Sequence, residues 1–325
     1  MAKRKTILVV IDPTSEKQPA LEKAAAFAKR IDADLALLTC IFDPDIAHVH
    51  WVTGRSLEHV RDAAIDRHFE SLERLAEPAR ADGRSVSIKI AWDNPLHEAI
   101  VREALRIDAD FVVKDTHHHA AISRALFTNT DWHLIRECPC ALWLVKPTAA
   151  PPDATVMAAI DPVHEHDQTA ALDRRIVDTA RLFSAMHQDR LQLVHVFEPP
   201  PPPVIGVFPT AAPTESVEAM VAATRRTHVE ALNSLAAEVG LPAGQVQLRE
   251  GNQVELLPVA AADLNAAVVV MGAIARSALQ RLLVGHTTER TLEHFPCDVV
   301  VVKPDDFKSP VAAFPPIYGS TEKRG

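Results

Sequence analysis

The chain of 325 residues carries the same set of segments twice, in the same order along each half. Each copy has the length of one ordinary domain, so the repeat predicts two divergent copies of one fold, residues 1–150 and residues 151–325. Thr148–Asp153, TAAPPD, is the predicted linker between them. The matching segments are VVIDPT (9–14) with AAIDPV (158–163), and CPCALWLVKP (138–147) with FPCDVVVVKP (295–304).

Short apolar runs alternate with segments of helical spacing throughout the chain. Strands separated by helices of this length are typical of a parallel sheet, whose strands are buried on both faces. The fold class predicted is therefore α/β, with two tandem doubly wound, open, parallel five-stranded sheets. In the first copy we predict strands at 7–12, 35–42, 85–92, 110–115 and 140–147, and helices at 16–31, 57–81, 95–106 and 120–137.

The charge balance and the hydropathy pattern exclude several classes of partner. The formal net charge is -9, and acidic residues outnumber basic ones in both halves, which argues against nucleic acid or an anionic membrane. The apolar run before Asp12 is too short for a signal peptide, and no run reaches the length of a membrane span. We therefore expect a soluble cytoplasmic protein with no nucleic-acid or membrane partner.

The stretch Val268–Thr288 has a pattern that can hold phosphate. An apolar strand ends at Gly272, and a second turn contains Gly285, His286, Thr287 and Thr288 before a further helical segment. Glycine lets backbone N–H groups approach a ligand closely, and a helix N-terminus favours anions. The alternative that stays open is an ordinary strand–loop–helix connection.

With these motifs the chain resembles the universal stress protein family, and most closely its tandem, UspE-like branch. Gly272 and Gly285 match the first and last glycines of the phosphate loop of the family's nucleotide-binding members. Asp161 matches the family's aspartate near adenine and ribose, and PCDVVVVKP matches its closing strand. The segments FTNTDWHLIRECP and KPDDFKSPV are similar to the tandem branch.

The resemblance implies two Rossmann-like sheets of the adenine nucleotide alpha hydrolase type, related by a pseudo-two-fold axis, each with a crevice at its switch point. Asp12 and Asp161 would lie at the mouths of these crevices. It implies ATP, with Mg²⁺, as the cofactor of the second domain and adenine nucleotide as a partner. The implied binding residues are Asp161, Val194, Met271, Gly272, Ala275, Arg276, Gly285, His286, Thr287 and Thr288.

The second copy departs from the family's loop at two positions. Ala275 stands where a glycine is expected, and a left-handed conformation there would cost about 1–2 kcal/mol. His286 stands where Ser or Thr is expected, while Arg276 adds a cation. Two interpretations remain open: the loop binds ATP, or it is degenerate and Thr287 only caps a helix.

The first copy departs much further, and we predict that it does not bind ATP. A carboxylate at the strand end would repel a triphosphate, so this crevice is expected to hold another ligand or none. In the alignment of the copies, Asp115 replaces Gly272, His118 replaces Ala275, Thr128 replaces Gly285 and Asn129 replaces His286.

Histidine and cysteine clusters suggest two further sites, and we expect neither. His117, His118 and His119 could bind a metal together with His48, His50 or His133, but consecutive residues cannot all face one ion. A polar loop and no metal site are therefore expected. Cys138 and Cys140 could form a redox pair, although burial at the start of a strand is the favoured interpretation. Cys40 and His195 are predicted to occupy similar core places on the second strands.

The sequence contains no Gly-x-Ser-x-Gly elbow and no Walker lysine, which favours a binding module over an enzyme. The function predicted is that of a regulatory module in the stress response, which acts as a monomeric pseudo-dimer or as a homodimer. Two alternatives stay open. One is a weak ATPase in which Asp161 positions magnesium or water, and the other is a carrier of an apolar or metal ligand.

Overall fold

The computed structural model describes residues 3–42, 57–118, 125–163, 170–199, 217–273 and 291–312. The chain forms two compact units. The first unit is residues 3–148 together with residues 306–312, and the second unit is residues 149–305.

The first unit is built around a five-stranded parallel sheet with the strand order β5-β4-β1-β2-β3. Helices connect most of the consecutive strands. Its elements are β1 (Thr6–Val10), α1 (Pro19–Ile31), β2 (Asp34–Ile41), α2 (Leu57–Ala81), β3 (Val86–Trp92), α3 (Leu96–Ile107), β4 (Phe111–Asp115), α4 (Asn129–Glu137) and β5 (Ala141–Val145).

The second unit has the same strand order. Written from the opposite edge of its sheet, the order is β8-β7-β6-β9-β10, and the strands are also parallel. Its elements are β6 (Thr155–Ala159), α5 (Ala170–Ser184), β7 (Leu191–Phe197), α6 (Val217–Glu238), β8 (Val246–Glu250), α7 (Gln253–Asp263), β9 (Ala266–Gly272) and β10 (Asp298–Val302). A short 3-10 helix, Ala243–Gln245, precedes β8.

The apolar runs of the sequence are the buried strands of both sheets. Ile7, Leu8 and Val9 of β1 are completely buried, and all five residues of β10 are buried. Side chains alternate between the two faces of a strand, so a run that is apolar throughout needs cover on both faces. The α/β class and the parallel five-stranded sheets predicted from the sequence are confirmed.

The long helix α2 has the predicted bounds, but the predicted helix 120–137 is too long. It begins only at residue 129, because the Thr128 side chain accepts from Asp131 N–H and the Asp131 carboxylate accepts from Thr128 N–H. This capping box satisfies the N–H groups of the first turn and fixes the start of the helix. Before it, residues 117–118 pair with residues 125–126 in a short antiparallel ladder.

In each unit the chain runs from the central first strand to one side of the sheet and then returns to the other side. The reversal lies between β1 and β4 in the first unit and between β6 and β9 in the second. In open α/β sheets this reversal opens a crevice outside the carboxyl ends of the strands, where ligands bind. Within the described residues, no helix combines the length and apolar character that crossing a membrane requires.

Candidate functional site

The candidate site of the second unit lies where β6 and β9 end side by side. Ala159, the last residue of β6, pairs with Val194 on β7 and with Met271 on β9. Gly272 ends β9, and Asp161 follows shortly after β6. The sheet therefore brings four predicted binding residues to one carboxyl edge, at the reversal of the strand order. They are Asp161, Val194, Met271 and Gly272.

The other predicted binding residues fall within residues 274–290, outside the described part of the chain. Their roles stay predictions from the sequence. They are Ala275, Arg276, Gly285, His286, Thr287 and Thr288.

Asp161 is a buried residue, only 8% exposed, at the end of the first strand of the second unit. Its backbone N–H donates to Asp173 Oδ1 at 3.1 Å, and Asp173 is itself almost completely buried on α5. This hydrogen bond ties the chain after β6 to the first turns of α5. The edge of the sheet therefore holds two carboxylates in a place shielded from water.

A pair of buried histidines supports the backbone directly before Asp161. His195 Nδ1 lies 3.0 Å from the carbonyl oxygen of Ile160, so this nitrogen carries the hydrogen and donates it. Its Nε2 then accepts from Nδ1–H of His228, at 2.7 Å. The ring of Phe197 stacks on His228 with a centroid distance of 4.4 Å. A chain of hydrogen bonds thus runs from α6 through β7 to the end of β6.

Burial lowers the pKa of His195 to about 4. The loss of solvation is the main cause, while the nearby Asp161 carboxylate and the hydrogen bond to Ile160 act in the opposite direction and His228 adds to the lowering. At neutral pH the ring is therefore uncharged. His195 consequently acts as a neutral support for the crevice and not as a cation for phosphate.

The counterpart of His195 in the first unit is Thr39, and the predicted equivalence with Cys40 is wrong by one residue. Thr39 Oγ1 donates to the carbonyl oxygen of Ile11 at 3.4 Å, as His195 donates to Ile160. Successive side chains on a strand point to opposite faces, so a shift of one residue changes the role entirely. His195 lies in the core as predicted, whereas Cys40 is only half-buried.

Gly272 has a packing role that the sequence did not indicate. A Cβ atom at this position would lie 3.0 Å from Leu172 Cδ2 and 3.3 Å from Ile176 Cδ1, both on α5. The lack of a side chain therefore lets α5 approach the end of β9 closely. This close packing favours glycine whether or not a phosphate lies nearby.

The first unit ends its fourth strand with charged residues that are already engaged. Asp115 Oδ1 accepts from the N–H of Ala20 at the start of α1, at 2.9 Å. Lys114 Nζ lies 2.9 Å from Asp131 Oδ1, and this ion pair is buried, with side-chain exposures of 8% and 0%. The other oxygen of Asp131 accepts from the N–H and the hydroxyl of Thr128. The N-termini of both α1 and α4 are therefore occupied by carboxylates of the protein itself.

A cavity of about 270 Å³ lies beside Asp12 in the first unit. Asp12 Oδ1 accepts from the N–H and the hydroxyl of Thr14, which shapes the turn after β1. Across the cavity, α2 contributes His68 and Ser71 together with Leu72 and Leu75, so the lining is polar and apolar in equal measure. The crevice of this unit is thus present, but its mouth carries hydroxyl and carboxylate groups.

Of the histidines considered for a metal site, only His133 has a described side chain. His48, His50 and His119 lie outside the described residues, and for His117 and His118 only the strand pairing is described. His133 lies against His97 and Glu137, which the sequence did not single out. Cys138 and Cys140 are buried and not joined by a disulfide, with their sulfur atoms 3.8 Å apart, as the interpretation as core cysteines predicted.

A search against protein-family models finds the universal stress protein family twice along the chain, over residues 3–146 and 154–303. The chain belongs to the universal stress protein family. Universal stress protein E of Escherichia coli strain K12 is 28% identical over 312 residues, which cover 96% of this chain and 98% of that protein. The homolog of universal stress protein E in Haemophilus influenzae is 22% identical and covers 93% of this chain and 98% of its own length.

Solved structures of other proteins share the fold. The crystal structure of the functionally unknown protein PA1789 from Pseudomonas aeruginosa PAO1 has a TM-score of 0.71 and 26% identity, covering 93% of this chain and 94% of that one. A universal stress protein from Archaeoglobus fulgidus has a TM-score of 0.63 at 17% identity, covering 92% of this chain and 98% of that one. The tandem arrangement of the repeat therefore recurs over nearly the full length of these proteins.

Two residues that support the crevice, His228 and Asp173, were missed at the level of sequence. His228 lies on α6 on the same buried stripe as Leu232 and Leu235, and this spacing was the available signal that position 228 faces the sheet. Asp173 gives no comparable signal, because an acidic residue in the first turn of a helix is favourable on an exposed surface as well.

Proposed function

We propose that the protein is a tandem regulatory module whose second unit binds ATP with Mg²⁺ in the crevice between β6 and β9. The observation that supports this most is the position of Asp161 and Gly272. Asp161 follows β6 and Gly272 ends β9; these neighbouring strands pair through Ala159 and Met271, at the reversal of strand order where α/β sheets bind ligands. Membership of the universal stress protein family agrees with this site.

In this proposal the first unit binds no ATP. Asp131 and Asp115 already accept the N–H groups that a phosphate would use at the starts of α4 and α1. A triphosphate would have to displace or approach these carboxylates, and like charges at short range repel strongly. The stoichiometry expected is therefore one nucleotide per chain.

Isothermal calorimetry with ATP and magnesium on the full chain tests the proposal. Asp161→Ala is expected to weaken binding at least tenfold, while Asp12→Ala, the matched change in the first unit, leaves it unchanged. Ala275→Gly is expected to strengthen binding, because it restores the loop glycine of the family. Absence of heat at millimolar ATP, both for the natural chain and for Ala275→Gly, would remove the proposal.

A carrier function for a small ligand other than nucleotide is a second candidate, favoured by the cavity beside Asp12. Native mass spectrometry of protein purified without additives distinguishes the two, because it weighs whatever stays bound. A bound nucleotide supports ATP binding by the second unit, and a smaller mass that Asp12→Ala removes supports the carrier. Hydrolysis of ATP and a cytoplasmic location stay predictions from the sequence; turnover that disappears in Asp161→Ala would favour a weak ATPase.

A further inference from the structure

Two helices of the first unit bring together two imidazoles and one carboxylate. His97 lies in the first turn of α3, and His133 and Glu137 lie one turn apart on α4. The imidazole rings stack with a centroid distance of 3.9 Å and an interplanar angle of 11°. His133 Nδ1 is 3.0 Å from Glu137 Oε1, and His97 Nε2 is 3.6 Å from Glu137 Oε2. One ligand atom from each residue lies within 4.8 Å of the other two.

The surrounding structure holds two of these side chains in place and leaves the third accessible. The side chains of His97 and Glu137 are 13% and 12% exposed, while His133 is 42% exposed. The capping box at Thr128 fixes the start of α4, and residues four apart on a helix lie on the same face. The cluster is therefore anchored at its inner side and open to solvent beside His133.

We propose that His97, His133 and Glu137 bind a divalent transition-metal ion such as Zn²⁺. Two imidazole nitrogens and one carboxylate oxygen form a donor set that zinc favours, with water in the fourth position. Bonds of about 2.0–2.1 Å in a tetrahedron place donors roughly 3.3 Å apart. Binding one ion requires the two rings to rotate out of their parallel stack, so that one nitrogen of each points at the ion. The open side at His133 is the path by which the ion enters.

The second unit does not repeat this donor set. The third strands of the two units end at Trp92 and Glu250. Alignment of the sequences at these two residues makes Glu255 the counterpart of His97. Counted from the prolines that precede the fifth strands, Arg290 replaces His133 and His294 replaces Glu137. Because an arginine cannot act as a ligand and repels a cation, the proposal predicts one metal ion per chain, bound by the first unit.

Titration of the metal-free full chain with Co²⁺, followed by its visible absorption and then by displacement with Zn²⁺, tests the proposal. We expect one equivalent to bind and to be displaced by zinc. His133→Gln, on the most exposed ligand, and Glu137→Gln are each expected to weaken Co²⁺ binding at least tenfold. A triple variant, His117→Gln with His118→Gln and His119→Gln, is the control for the histidine run and should bind as the natural chain does.

Three results would overturn the proposal. The natural chain could fail to bind one equivalent of Co²⁺ or Zn²⁺, or His133→Gln could bind as tightly as the natural chain while circular dichroism shows it folded. The triple variant could also lose the ion while His133→Gln keeps it, which would assign binding to the histidine run. If Glu137→Gln unfolds, the binding measured for His133→Gln alone decides whether the proposal holds. Each of the three results above would mean that the stacked histidines and Glu137 form a polar cluster and no metal site.

Discussion

The two units have the same strand order but end their fourth strands in different ways. In the first unit, β4 ends in Lys114 and Asp115, which bind Asp131 and the N-terminus of α1. In the second unit the corresponding residues are Met271 and Gly272, and α5 packs directly on the glycine. The first unit thus uses an ion pair and a carboxylate cap at this edge, and the second uses an apolar side chain and close packing.

This difference shows how a duplicated crevice can diverge without a change of fold. The strands are held by apolar residues that both copies retain, so replacements at the carboxyl edge leave the sheet intact. A carboxylate that occupies a helix N-terminus stabilises that helix and removes a place where an anion would bind. The first unit therefore gains internal polar contacts at the positions where the second has an apolar side chain and close packing of a helix.

The largest effect is expected for Lys114→Met, which introduces the residue found in the second unit. It leaves Asp131 buried without its cation, and loss of one partner of a buried ion pair costs about 3–5 kcal/mol. Urea denaturation followed by tryptophan fluorescence measures this loss in the first unit alone, because all 4 tryptophans lie before residue 150.

The double variant Lys114→Met with Asp131→Thr is the control for the buried charge, since Thr288 is the counterpart of Asp131. Removal of both charges is expected to recover at least about 1 kcal/mol relative to Lys114→Met alone. A double variant that is no more stable than Lys114→Met would mean that the capping role of Asp131, and not its pairing with Lys114, dominates.

An effect that depends on pH is expected for His195→Thr, which introduces the counterpart Thr39. The pKa of His195 is about 4 in the folded chain against an ordinary value of 6.5, so the unfolded chain binds more protons between these values. Stability of the second unit therefore falls as the pH drops from about 6.5 to 4, by up to about 3 kcal/mol at pH 4.

Far-ultraviolet circular dichroism during urea denaturation at pH 7 and at pH 4 checks this expectation. The variant should lose stability at pH 7, since it leaves His228 without its acceptor, but it should show a smaller loss between pH 7 and pH 4 than the natural chain. Equal pH dependence in both proteins would show that His195 does not stay neutral in the folded state.

The smallest effects are expected at the end of the fourth strand itself. Gly272→Ala forces the Leu172 side chain of α5 away from the end of β9 and should cost about 1 kcal/mol in the second unit. Asp115→Ala removes the cap on α1 and should cost about 1 kcal/mol in the first. Tryptophan fluorescence should respond to Asp115→Ala and not to Gly272→Ala; a neutral Gly272→Ala would show that the packing at this position tolerates a methyl group.

Much of the architecture could be predicted because it depends on local patterns. Apolar runs such as Val299–Val302 form buried strands wherever they occur, and the bounds of α2 follow from its spacing and from Gly83, whose φ is +80°. The helix predicted from residue 120 failed because helical spacing does not show where a helix starts. Thr128 and Asp131 decide that start through a side-chain contact.

The candidate site was predictable only in part. Asp161 and Gly272 were identified because they match the family's motif at the ends of two apolar runs, and parallel strands place their carboxyl ends at one edge. The equivalence of Cys40 with His195 failed because the sequence does not specify strand register to one residue. The roles of Ala275 and of the turn at Gly285 stay predictions, since they lie outside the described residues.

The sequence alone determined that this chain is a duplicated α/β protein of the universal stress protein family, because strands and loop motifs depend on residues that are close together along the chain. Only the tertiary structure decided that His228 supports His195, that Asp115 caps α1 and that His97 meets His133. These contacts join residues far apart along the chain, and they depend on how each helix packs on its sheet. Packing distances of a few ångströms follow from the whole core and from no single segment.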